Sequence, residues 1–124
     1  MSKTKVLQTR HVLAVRDVAE TKDYFVSVLG FDADFSLSGW EFLSFGGLKL
    51  MIGECPDDAP AAEIGSHSYF ANVLVDDANA VYSAFRSKGA KFSAEIEDKP
   101  WGLREFCVLT PEGHRIVFAE ELDD

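Results

Sequence analysis

The chain has few of the residues that carry metal and redox chemistry. Its 124 residues include only 2 cysteines and 3 histidines. Cys55 and Cys107 stand far apart, so they form neither a CxxC redox pair nor half of a zinc-ligand set. His11, His67 and His114 are equally scattered. No stretch approaches the roughly 20 consecutive apolar residues of a membrane helix. The opening "MSKTKVLQTR" lacks the apolar core of a secretion signal. Basic residues are also scarce, 12 Lys and Arg against 21 Asp and Glu, for a net charge of −9. That balance argues against nucleic acid, whose phosphates need a basic face. It suits a cationic small molecule, and equally a surface that is merely kept soluble. These shortages predict a reduced cytoplasmic protein with no membrane and no nucleic-acid partner. A single Cys55–Cys107 disulfide stays open.

Apolar residues make up 47% of the chain, enough for one domain with its own core. The chain also repeats itself. "VRDVAETKDYFVSVLG" from Val15 and "VDDANAVYSAFRSKG" from Val75 align Val15 with Val75, Asp17 with Asp77 and Phe25 with Phe85. Further on, "WEFLSFGGLKLMI" resembles "REFCVLTPEGHRIVF", which pairs Glu41-Phe42 with Glu105-Phe106.

Each half reads as strand, helix and three strands. "HVLAV" is β-branched and short, as a strand is. Asp17 is placed to cap a helix, with Glu20 three residues on. Val18, Phe25, Val28 and Leu29 share one helical face, and Gly30 ends it. "FDADF" alternates, and "WEFLSF", Gly-Gly and "LKLMI" read as a hairpin. The second half follows with "YFANVLV", a helix capped by Asp77 and ended at Gly89, "KFSAE", "LREFCVL" and "HRIVFAE". The predicted architecture is α+β. Two pseudo-symmetric βαβββ modules, at about 9–53 and 69–120, are joined by a Pro-, Gly- and acid-rich linker over 54–68. Together they form a curved sheet cleft, with helices on one face and a ligand groove on the other.

With that pattern on the page, the chain resembles the vicinal oxygen chelate superfamily, the glyoxalase/bleomycin-resistance fold. "VRDVAETKDYFVSVLGF" and "LTPEGHRIVFAEEL" carry the resemblance, the latter close to the family's closing DPxGxxxxF. Within the superfamily, "KPWGLREF" is similar to the PWG-REF segment of the bleomycin-binding resistance proteins, with Leu103 as one extra residue. The resemblance implies a homodimer whose clefts form between subunits, often with an exchanged N-terminal strand.

Metal-dependent members place four ligands on cleft-facing strand positions. In this chain those columns fall at Arg10, Met51, Phe70 and Val117. A guanidinium stays protonated, and the other three offer no hard or borderline donor, so no metal and no cofactor is expected. His11 stands one residue off its column, on the opposite strand face. Glu120 is the one acid near a column. A metal-dependent lyase or isomerase, using His11 or Glu120, is the alternative. No Ser-His-Asp arrangement is evident. Cys107 lies mid-strand, and Cys55 stands in an acidic loop that would raise its pKa.

The resemblance instead implies aromatic stacking. Trp101, between Pro100 and Gly102, matches the tryptophan that stacks on the drug's flat tail, and Trp40 matches a second stacking position. Phe70 and Met51 would supply apolar floor, Asn72 a hydrogen-bonding group, and Gly102 the turn beside the tryptophan. Glu54, Asp57, Asp58, Glu63, Glu95, Glu97 and Asp98 would form an acidic rim. The expectation is metal-independent sequestration of a bleomycin-type cationic glycopeptide, or of another planar molecule, without turnover.

Overall fold

The computed structural model describes residues 7–122, the side chains of Ser66 and His67 excepted. The expectations for the first six residues and for the His67 side chain therefore lie outside the described residues. Along the chain come β1 (His11–Val15), α1 (Val18–Asp23), β2 (Asp32–Leu37), β3 (Trp40–Phe45) and β4 (Leu48–Glu54). After the linker follow β5 (Tyr69–Leu74), α2 (Ala78–Ser87), β6 (Lys91–Asp98), β7 (Leu103–Leu109) and β8 (Arg115–Glu121). The strands form two sheets of identical topology, ordered β1-β4-β3-β2 and β5-β8-β7-β6. In each, the first strand runs parallel to the last and the rest are antiparallel. This is the α+β pair of βαβββ modules that the repeat predicts.

Local chemistry explains the helices. Asp17 accepts from the Glu20 N–H at 2.9 Å and Asp77 from the Ala80 N–H at 3.0 Å, so both predicted caps close the first turn. The first helix does not run on as one regular element. After Asp23 it widens into a π turn, Tyr24–Val28, and the Leu29 N–H reaches back to the Tyr24 carbonyl at 3.1 Å. Gly30, at φ +77°, then turns the chain out.

The helix-bearing faces of both sheets share one core. Leu13, Val15, Leu43, Leu50 and Ile52 come from the first module, and Phe106, Val108, Ile116 and Phe118 from the second. Phe45 reaches across to Phe85 and Phe118, each ring 6.1 Å away, and Phe106 stacks on Phe118 at 5.5 Å. Polar contacts lock the same joint. The Glu112 carboxylate accepts from the Arg16 and Asp17 N–H groups at 2.7 to 2.8 Å. The Tyr24 hydroxyl donates to the Leu109 carbonyl at 2.9 Å and accepts from the Lys91 N–H at 3.0 Å. Strand alternation turns Val12, Phe42 and Met51, with Asn72, Cys107 and Val117, to the opposite, open faces.

The pairing of the halves needs one correction. Ile52 and Phe118 occupy equivalent core positions, and they pair with Glu41 and Phe106. Glu41 is therefore the counterpart of Phe106, and Phe42 the counterpart of Cys107. The Glu-Phe repeat in sequence is one residue out of structural register. Phe42 consequently faces outward while Phe106 faces the core.

The linker is docked rather than loose. The Ala62 N–H donates to the Glu112 carbonyl at 3.0 Å, and Arg115 reaches the Gly65 carbonyl at 2.9 Å and Ser68 Oγ at 2.8 Å. Gly113 has φ +93°, and a Cβ there would meet the Ala62 backbone at 2.6 Å. Gly113→Ala should therefore cost about 2 kcal/mol or more in urea unfolding. His114 is buried, and its Nδ1 has no hydrogen-bond partner. Burial holds its pKa below the ordinary value, although the charge of Glu112 opposes this. An unfolded histidine titrates near about 6.5. The stability tied to neutral His114 is thus complete above that pH and lost as pH falls through the lower folded value. Urea midpoints between pH 7 and 5 should fall more steeply in the wild type than in His114→Gln.

Candidate functional site

The open face of the first sheet carries an aromatic and cationic cluster. Val12, Met51 and Phe42 lie in one row across β1, β4 and β3, and Phe35 of β2 completes it. A bulge produces that last placement. Ala33 pairs with Leu43 but Phe35 pairs with Phe42, which leaves Asp34 as an extra residue between them. Without the extra residue, Phe35 would share Ala33's helix side. Ser44 Oγ donates to Asp34 Oδ1 at 3.0 Å and holds the bulge in place.

Phe35 and Phe42 stack with centroids 4.2 Å apart and planes 12° from parallel. Arg10 extends over them, its guanidinium carbon 5.1 Å from the Phe42 centroid and 5.9 Å from that of Phe35. With its amide oxygen turned to the guanidinium, Gln8 accepts from Arg10 at 2.8 and 3.1 Å. Phe42 is almost covered, whereas Phe35 stays 47% exposed.

Trp40 opens β3 just after the Ser38-Gly39 turn, and its ring lies over Gly53. A Cβ on Gly53 would meet the indole at 2.7 Å, so glycine is what lets the ring approach this closely. Trp101 occupies the corresponding hairpin of the second module. The Gly102 N–H closes that turn onto the Lys99 carbonyl at 3.0 Å, with Gly102 at φ +85°. The Trp101 ring is 63% exposed, 5.9 Å from Lys99 Nζ, and Leu103 begins β7 beyond it. Among the described residues no ring contact links Trp40 to Trp101 within the chain, so a sandwich between them needs two chains. Asn72 and Met51 lie on the open faces of different sheets. Phe70 sits at a bulge in β5 and packs against the core, edge-on to His11 and His114 at 5.9 Å each.

The acidic rim is only partly free. Arg86 lies 3.7 Å from Glu95, Lys99 2.5 Å from Glu97, and Arg104 2.6 Å from Asp98. The Asp98 hydrogen bond from Arg104 lowers the carboxyl's pKa, consistent with an occupied ion pair. A groove of about 890 Å³ lies beside α1, where Arg16, Lys22, Val26, Trp40, Glu41 and Glu54 line it. Lys22 and Glu41 pair across it at 3.1 Å, while Asp17, Asp23 and Glu54 leave its lining acidic. Trp40 stands between this groove and the open face.

A divalent metal does not fit these residues. Among the described residues no three His, Cys, Asp or Glu side chains are grouped to hold one. His11 lies on the helix side of β1 against Phe70. Glu120 accepts from the Ala78 N–H at 2.9 Å, which commits it to the start of α2. Cys55 and Cys107 are both free thiols. Desolvation, reinforced by Asp58 and Glu54, raises the Cys55 pKa and keeps the thiol protonated at neutral pH.

With two βαβββ modules, a shared helix-side core and open sheet faces, the chain belongs to the Glyoxalase/Bleomycin resistance protein/Dioxygenase superfamily, whose model matches residues 8–118. No curated protein matches it in sequence. Solved structures share the fold. One is a glyoxalase/bleomycin resistance protein/dioxygenase from Alicyclobacillus acidocaldarius, with TM-score 0.80 and 18% identity over 94% of this chain and 92% of that one. A second is the bleomycin-binding protein of Streptomyces verticillus, solved with copper(II)-bleomycin, with TM-score 0.72 and 21% identity over 98% and 100%. A third is TnmS3, an antibiotic binding protein from Streptomyces sp. CB03234, with TM-score 0.77 and 19% identity over 97% and 99%.

Because the donor set is missing, protein purified without chelator should contain no stoichiometric divalent ion by elemental analysis. His11→Ala and Glu120→Ala should leave that content unchanged. About one ion per chain, lost in either variant, would contradict the assignment.

Proposed function

We propose that this protein binds and sequesters a planar small-molecule antibiotic on its open sheet faces, without metal and without chemical turnover. One observation carries the reading. Where metal-dependent relatives need ligands, this chain presents Arg10, Met51, Phe70 and Val117, and the stacked Phe35–Phe42 surface lies beside the first two. Stacking and desolvation, rather than Lewis acidity, are the interactions such a surface offers.

Within this class a bleomycin-type cationic glycopeptide is the specific candidate. The net charge of −9 and the Trp40 and Trp101 hairpins support it, and so does the fold shared with a bleomycin-binding protein. The same reading includes a cytoplasmic homodimer. Val12, Leu37 and Leu74 are each about 60% exposed. A second copy facing them would cover this apolar surface and bring Trp40 of one chain toward Trp101 of the partner. Since β1 pairs with β4 in the same chain, strand exchange would substitute the partner's β1 in an identical register.

Titration with metal-free bleomycin, followed by tryptophan fluorescence, tests the proposal. Quenching should saturate at micromolar ligand, and Trp101→Ala or Trp40→Ala should weaken binding by about threefold to tenfold. The ligand should be recovered unmodified. Absence of quenching, or affinity unchanged in both variants, would remove bleomycin as the ligand.

A further inference from the structure

We infer that Arg10, held over the Phe35–Phe42 stack, selects an aromatic ligand carrying an anionic substituent, a carboxylate or its equivalent. This rests on the reading that the open faces hold a planar ligand, and it assigns the first sheet an anionic aromatic group in place of the cationic glycopeptide.

Two observations carry it. The first is the bulge at Asp34, which turns Phe35 out of the helix side and onto Phe42. Phe35 there provides a flat apolar surface, 47% exposed, beside the Arg10 guanidinium. The second is the state of that cation. Among the described residues Arg10 forms no ion pair, and the neutral Gln8 amide is its hydrogen-bonding partner. Contact with both rings and with Gln8 orients the guanidinium without neutralising it, and its remaining N–H groups are available to a carboxylate.

The acids of the second module and of the α1 groove make contacts of their own. Glu95, Glu97 and Asp98 are each paired to a base on their own hairpin or on α2. Lys22 and Glu41 pair in the groove beside α1. Asp34, the carboxylate nearest the platform in sequence, accepts from Ser44 at the bulge. On the open face of the first sheet Lys49 stands in the row next to Phe42, opposite Ser44, and Asp32 stands in that same row on the other side of Ser44. Those two charges offset each other, and Arg10 is the cation in contact with the rings. A ring packed on Phe35 places its substituent next to a guanidinium that has no ion-pair partner among the described residues.

The test uses one ring with three charges: 2-naphthoate, 2-naphthamide and 2-naphthylmethylammonium, each titrated by calorimetry at low ionic strength. The naphthoate should bind about tenfold more tightly than the amide, as a charge-assisted bond to arginine allows, and the ammonium most weakly. Arg10→Gln should abolish the order while leaving the amide's affinity within about twofold. Phe35→Ala should weaken all three by a similar factor of about three to ten. Raising the salt to 0.5 M should narrow the naphthoate's advantage. Equal affinities in the wild type, or an order that survives in Arg10→Gln, would overturn the role of Arg10 and leave the aromatic platform standing. Tightest binding by the ammonium would overturn anionic selection in favour of a cationic ligand. Failure of all three to bind, with Phe35→Ala indistinguishable from wild type, would overturn the platform itself.

Discussion

The aromatic joint between the modules decides which surfaces are left for function. Phe45 crosses from the first sheet to Phe85 and Phe118, and Glu112 and Tyr24 fix the same contact with hydrogen bonds. This interaction takes up the helix-bearing face of both sheets. Each sheet then has one face without a partner in the chain, and strand alternation determines which residues appear there. A fold with one shared core thus leaves two open faces on the side away from the helices, where the proposed ligand would lie.

The open face of the first sheet has chemistry of its own. Metal-dependent members of the superfamily need donors on such a face. Here the available groups are a guanidinium, a thioether and stacked phenyl rings, with the indole of Trp40 over Gly53. The proposed recognition by shape, stacking and charge draws on these side chains. His11 and Glu120, the two residues through which a metal could have entered the account, are held by Phe70 and by the start of α2.

Much of the fold was legible in the sequence because its determinants are local. Asp17 and Asp77 announce their helices through capping, the glycines at 30 and 89 end them, and the Gly46-Gly47 turn sets the β3–β4 hairpin. The failures are all of register. The Glu-Phe repeat aligned Phe42 with Phe106, yet pairing against β4 and β8 offsets them by one residue and turns one out and the other in. Phe35 was invisible as a surface residue, because strict alternation puts it on the helix side and only the bulge at Asp34 reverses it. Arg10 was read simply as a position unable to bind metal. Its use as a cation emerges once Phe35 and Phe42 are seen beneath it. Phe70, expected in a cleft floor, is drawn against the core by another bulge. Trp101 was readable as a loop aromatic because Pro100 and Gly102 flank it, but no sequence rule fixes whether its partner is in the same chain.

The central claim is that ligand occupies the open sheet faces. Backbone and side-chain chemical shifts, recorded by NMR as saturating bleomycin or 2-naphthoate is added, address it most directly. Ligand on the open face should perturb Arg10, Phe35, Trp40, Phe42 and Met51 most, with the α1 groove around Lys22 and Val26 nearly unchanged. Perturbations centred on that groove, and absent from the open face, would contradict it.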